Sequence, residues 1–146
     1  MIVYLDASVV IAALNDEATS DRVDPFVRNS PTPPLASDLV LTECSAAVSR
    51  LVRTRSRTIA DATLLFEELD AWAAAFAEVR PITSIDVERA RQFVRFPGLG
   101  LRAPDAIHIA AAARLEATLV TLDRGMARAA AALGLPCLNP ADASAL

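Results

Sequence analysis

The chain has 146 residues, 53% of them hydrophobic, a formal net charge of −4 and a pI of about 4.9. This composition excludes a disordered chain, and the acidity excludes coating of nucleic acid by bulk charge, though not a nuclease whose site holds cations. All 14 basic residues are arginine and the single histidine is His108, which excludes a P-loop, Schiff-base chemistry and a multi-histidine zinc site.

Length suits one domain spanning 1–146. Cys44 and Cys137 match no metal or redox spacing and read as free thiols of a reducing cytosol. The start lacks a basic region, Asp6 interrupts its apolar run, and no stretch reaches the roughly 20 apolar residues a bilayer needs. A cytoplasmic protein without membrane association is expected.

In chain order, residues 2–5 read as a strand buried on both faces, and Ser8–Leu14 as a short helix. The polar segment NDEATSDRVD leads to a second short helix at Pro25–Asn29, and SPTPP is a loop. Leu35–Ala36 is a strand, and Ser37 or Asp38 caps a helix to Arg53 with the stripe Val40, Cys44, Ala47, Val48, Leu51 and Val52. After the turn TRSR, Thr58–Ala77 forms the second arm of a helical hairpin. It is unusually apolar (Leu64, Leu65, Leu69, Trp72, Phe76), as a partner-facing surface would be.

Val79–Ile82 is the third strand. Thr83 and Asp86 form a capping box for a helix over Ser84–Phe96. The loop PGLGLRAP follows, with Pro104 in the first turn of a helix to Leu115. Thr118–Leu122 is a buried strand, Asp123 suits the cap of a helix ending at Gly134, and Pro136–Leu138 is a last edge strand. Alternating strands and helices predict an α/β/α sandwich with a mostly parallel central sheet of four to five strands.

Four acids fit this packing poorly. Asp6 and Asp123 close the two most apolar strands, and sites in open α/β sheets form at strand carboxyl ends. A polar strand end and a helix cap are the ordinary alternatives. Glu43 shares a helix face with Val40, Ala47 and Leu51, which breaks the binary pattern unless its stem snorkels at an edge. Asp105 lies in a first helical turn beside Ile109 and Ala112, where the macrodipole favours an acid with or without a further role. Strand C-termini and helix N-termini share one rim of a parallel sheet, so all four carboxylates can converge. Such a cluster repels itself unless hard divalent cations, Mg²⁺ or Mn²⁺, relieve it, and sites of that kind serve phosphoryl chemistry.

Through VYLDASVVIAAL, LVLTECSAAVSRL, APDAIHIAAAARL and LVTLDRGMARAA, in that order, the chain resembles the PIN domains, specifically VapC toxins of type II toxin–antitoxin pairs. The likeness covers nearly the whole chain. It implies a Mg²⁺-dependent endoribonuclease that leaves a 5′-phosphate and a 3′-hydroxyl. The family acids carry over to Asp6, Glu43, Asp105 and Asp123, with Asp6 and Asp105 as principal metal ligands. Ser8 and Thr121 match polar positions that support the metal shell. The resemblance also implies an RNA substrate, a homodimer, and a cognate antitoxin that covers the site.

Arg50, Arg53, Arg55 and Arg57 suit either a solvated helix end or a phosphate-binding edge. Arg102 and Arg124, each beside an acid, suit a substrate clamp or simple pairing. His108 reads as a packing residue before a general base, and Trp72 and Phe76 as helix-packing or partner residues. The rival readings are a catalytically silent PIN-fold interaction module and a stand-alone metal-dependent nuclease without an antitoxin. An aspartyl-phosphate enzyme of the haloacid dehalogenase type, or a receiver domain, wants a lysine. The former also wants a second acid where Ser8 stands.

Overall fold

Val3–Leu5 forms the first strand, β1, and all three of its side chains are buried. Successive strand residues point to opposite faces, so β1 is covered on both. The structure, a computed structural model, describes residues 1–15 and 20–142. Around β1 lie β2 (Leu35–Ser37), β3 (Glu78–Arg80), β4 (Thr118–Val120) and β5 (Cys137–Leu138). They form a five-stranded sheet in the order β3-β2-β1-β4-β5, with every pairing parallel. Tyr4 stands opposite both Leu35 and Leu119.

Seven α-helices occur among the described residues: α1 (Ala7–Leu14), α2 (Ser20–Val27), α3 (Asp38–Arg53), α4 (Ile59–Phe76), α5 (Ser84–Val94), α6 (Ala103–Arg114) and α7 (Arg124–Ala132). Their sequences supply their own ends. Ser37 caps α3 by accepting from the Val40 amide. Capping boxes open α4 (Thr58 with Asp61) and α5 (Thr83 with Asp86). The core gathers Tyr4, Leu5, Val9, Val10, Val40, Ile109, Leu119 and Val120. Each such aliphatic side chain stabilises the fold by about 1.5–3 kcal/mol.

The expected α/β architecture is the observed one, with five strands, all parallel, among the described residues. The second helix differs from expectation: it spans Ser20–Val27 rather than Pro25–Asn29, and Pro25 sits inside it. Val23, Phe26 and Val27 are buried at helical spacing, and that stripe outweighs the hydrogen bond lost at an exposed proline. Residues 16–19 of the polar segment lie outside the described residues. The third strand sits one residue earlier than expected at its start and ends before Pro81, which cannot donate to a ladder. The fourth stops at Val120, so Thr121 and Leu122 belong to the turn.

Leu69 and Trp72 are buried, whereas Ile59, Leu64 and Phe76 are exposed. Cys44 and Cys137 are free thiols, and burial raises them to about 12 and about 11. Among the described residues no helix is long and apolar enough to cross a membrane.

Candidate active site

The chain leaves β1 toward β2 and β3, then returns past β1 to add β4 and β5 on the other side. Loops after β1 and β4 therefore diverge, and a crevice opens beyond the carboxyl ends of these adjacent strands. Asp6 follows β1 directly and Asp123 follows β4. A cleft of about 540 Å³ lies here, lined by Asp6, Glu43, Asp105 and Asp123, with Ser8, Arg50, Arg53 and Arg102 among its other walls.

Asp6 is only 2% exposed. It caps α1: its Oδ1 accepts from the Val9 amide at 3.3 Å and from the Ser8 hydroxyl at 2.6 Å. Its Oδ2 accepts from the Thr121 hydroxyl at 2.7 Å. Of roughly four acceptor sites on a carboxylate, three are filled, and the remaining one is on Oδ2. Burial raises the Asp6 pKa, while the Ser8 and Thr121 hydroxyls and the Val9 amide oppose the rise. Ser8 and Thr121 also stitch the crevice shut at its base. The Ser8 Oγ accepts from the Leu122 amide at 3.0 Å, and the Thr121 Oγ1 from the Asp123 amide at 3.0 Å.

Asp123 caps α7, its Oδ1 accepting from the Met126 amide at 2.9 Å. The cap and the cleft wall are thus the same side chain. Asp105 sits in the first turn of α6, where Arg102 Nε reaches its Oδ2 at 3.4 Å. Arg102 is exposed, so the pair contributes little. Arg124 has no ion pair among the described residues. Arg50 and Arg53 occupy the last turn of α3 and also line the cleft. Arg55 and Arg57 lie outside it.

Glu43 does not snorkel at an edge. It lines the cleft, and its Oε2 is 2.7 Å from Nε2 of His108, which is 1% exposed. The His108 Nδ1 is 2.8 Å from the Tyr4 hydroxyl, which is 2.7 Å from the Ser37 hydroxyl. Tyr4 and Ser37 were not legible as part of this site. The only signal was a polar atom on each of two otherwise apolar strands.

The donor set is one of oxygen atoms. Cys44 is buried in the core, and both His108 nitrogens are engaged. Carboxylate and hydroxyl oxygens suit a hard divalent cation such as Mg²⁺ or Mn²⁺ over a soft metal. Among the described residues no three His, Cys, Asp or Glu side chains are drawn close enough to form a ready-made ion cage. The four acids share a cleft rather than a single point.

No curated protein sequence matches the chain. Among solved structures it is similar to FitAcB from Neisseria gonorrhoeae, with a TM-score of 0.74 and 19% identity over 95% of this chain and 98% of that one. It is similar to VapBC2 from Rickettsia felis bound to a fragment of its promoter DNA, with a TM-score of 0.70 and 18% identity over 95% and 98% of the two chains. It is also similar to VapC20 from Mycobacterium tuberculosis, a sarcin–ricin loop cleaving toxin, with a TM-score of 0.65 and 19% identity over 91% and 95%. At these identities the likeness is one of fold. The PIN-domain family model matches residues 3–132, from the first strand through the last helix. The chain therefore belongs to the PIN-domain family.

Proposed function

We propose that this protein is a metal-dependent endoribonuclease acting as the toxin of a toxin–antitoxin pair. The observation that carries the reading is the meeting of four carboxylates, from four separate elements, in one cleft at the sheet's switch point. Mg²⁺, or Mn²⁺ in its place, when bound supplies a Lewis acid for the phosphodiester and an activated water. Asp6, Glu43, Asp105 and Asp123 would hold it, and the Ser8 and Thr121 hydroxyls orient Asp6. Arg50 and Arg53 give an acidic protein the local positive surface that an RNA backbone requires.

Toxin–antitoxin complexes among the structural neighbours support an antitoxin partner, as does the RNA-cleaving neighbour a ribonuclease role. In this reading a single 1–146 domain works in the cytoplasm as a homodimer. Its cleft is covered by the antitoxin when the pair is intact.

The test is RNA cleavage by purified protein with Mg²⁺ or Mn²⁺. Asp6→Asn and Asp105→Asn should each lower the rate by about 100-fold or more while circular dichroism stays unchanged. Wild-type cleavage by either folded variant would refute the assignment. Expression without a partner should arrest growth, and the same substitutions should relieve it. Harmless, well-expressed wild type would remove the toxin role alone.

A further inference from the structure

His108 is buried, yet it is no ordinary packing residue, because it is the next-to-last member of a chain of hydrogen bonds that leaves α3, passes through β1 and α6, and returns to α3. The chain runs from the Val40 amide to Ser37 Oγ (3.2 Å), to the Tyr4 hydroxyl, to His108 Nδ1, and from His108 Nε2 to Glu43 Oε2. It links β1, the β2–α3 junction, α6 and α3.

The donors and acceptors fit in one direction. A Glu43 carboxylate only accepts, so Nε2 carries the ring hydrogen and donates it. Nδ1 then accepts from the Tyr4 hydroxyl, and the Tyr4 oxygen accepts from the Ser37 hydroxyl. The Ser37 oxygen in turn accepts from the Val40 amide as the cap of α3. Every polar hydrogen along this line has one acceptor. With hydrogens on both ring nitrogens, the Tyr4 hydroxyl would turn toward Ser37, whose own proton would have no partner among the described residues. In this tautomer Nε2 carries a hydrogen toward Glu43 and presents no lone pair to the cleft.

Glu43 has no helix-capping amide to hold it. It projects from the middle of α3 on a long stem, whereas Asp6 and Asp123 are held by helix-capping amides. We propose that His108 is a positioning residue for Glu43: its Nε2–H holds that carboxylate in the cleft, and the Ser37–Tyr4 hydroxyl pair fixes the ring tautomer that makes this donation. The proposal rests on reading the cleft as a divalent-metal nuclease site.

The test compares His108→Leu, His108→Gln and Tyr4→Phe with wild type, using Mn²⁺ binding by electron paramagnetic resonance, cleavage rate against Mn²⁺ concentration, and thermal melting. Gln returns an N–H near the position of Nε2. His108→Leu should weaken Mn²⁺ binding by about 10–100-fold, with the rate at saturating Mn²⁺ changing less than the Mn²⁺ requirement. Tyr4→Phe should shift binding in the same direction, and His108→Gln should recover most of the loss. Should His108→Leu fail to fold, Tyr4→Phe against His108→Gln carries the comparison.

Unchanged Mn²⁺ binding in His108→Leu and Tyr4→Phe, while Asp6→Asn is inactive, overturns the positioning role and leaves the nuclease reading standing. So does a His108→Gln variant as defective as His108→Leu. Full cleavage by Asp6→Asn overturns the nuclease reading, and this proposal with it.

Discussion

Asp6 is held by three donors, none of them cationic: two hydroxyls and one amide. Burial raises its pKa, so folding disfavours the charged form relative to the unfolded chain. A raised carboxylate binds more protons folded than unfolded, and stability falls as pH rises above the ordinary aspartate value of about 4. Asp6→Asn should therefore melt higher than wild type at neutral pH in metal-free buffer, and the gain should vanish as pH approaches 4. Equal melting temperatures at pH 7 would show that the three donors fully offset the burial. Gly125 makes a second prediction at this scale. A Cβ there would stand 3.2 Å from Asp123 Oδ1, so alanine must displace that oxygen. Alanine also favours a helix over glycine by up to about 1 kcal/mol. Gly125→Ala should keep or raise the melting temperature while lowering cleavage several-fold, a divergence that paired melting and activity assays would detect.

Between elements, the strongest polar tie outside the cleft joins α5 to α6. Asp86, fully buried, takes two hydrogen bonds from Arg114, at 2.8 and 2.9 Å, and also closes the α5 capping box. Arg114 further donates to the Pro81 carbonyl at 3.1 Å, tying the end of β3 to the same point. Burial pushes the Asp86 pKa up, but the Arg114 and capping bonds outweigh it and leave the value lowered. A lowered carboxylate contributes stability that is present above about pH 4 and lost as pH falls through its folded value. Arg114→Leu strands a buried charge and should cost about 3 kcal/mol at pH 7, read by urea unfolding. That deficit should shrink below about pH 4, where wild type loses the pair too. The sequence showed the capping box, because Thr83 and Asp86 stand at local spacing. It did not show Arg114, 28 residues away, because the partner of a buried charge is chosen by helix packing.

Across the whole molecule, the acids come from α1's cap, α3, α6 and α7's cap, and only the sheet order brings them to one rim. A divalent ion that binds the folded state alone stabilises it by mass action, by about 2.7 kcal/mol at a hundred times its Kd. Mn²⁺ should thus raise the wild-type melting temperature by several degrees, a chelator should reverse the rise, and Asp6→Asn should show neither effect. A Mn²⁺ shift that persists in Asp6→Asn would place the ion elsewhere.

What the sequence determined by itself was local. Apolar β-branched runs set the inner strands, capping residues set the helix starts, and acids at strand ends and in a core-facing stripe marked themselves as misfits. Each signal acts over a few residues, through hydrogen bonds and burial patterns that nearest neighbours impose. Where signals competed locally, as at Pro25, the buried stripe of α2 prevailed over the proline, and only packing revealed it. Tertiary structure alone decided which distant groups meet. It put Arg50 and Arg53, but not Arg55 and Arg57, on the cleft, and gave Asp86 its Arg114. It also joined Ser37, Tyr4 and His108 into a line that ends on Glu43. Hydrogen-bond partners in a buried network are fixed by three-dimensional distance, and sequence spacing carries no trace of it.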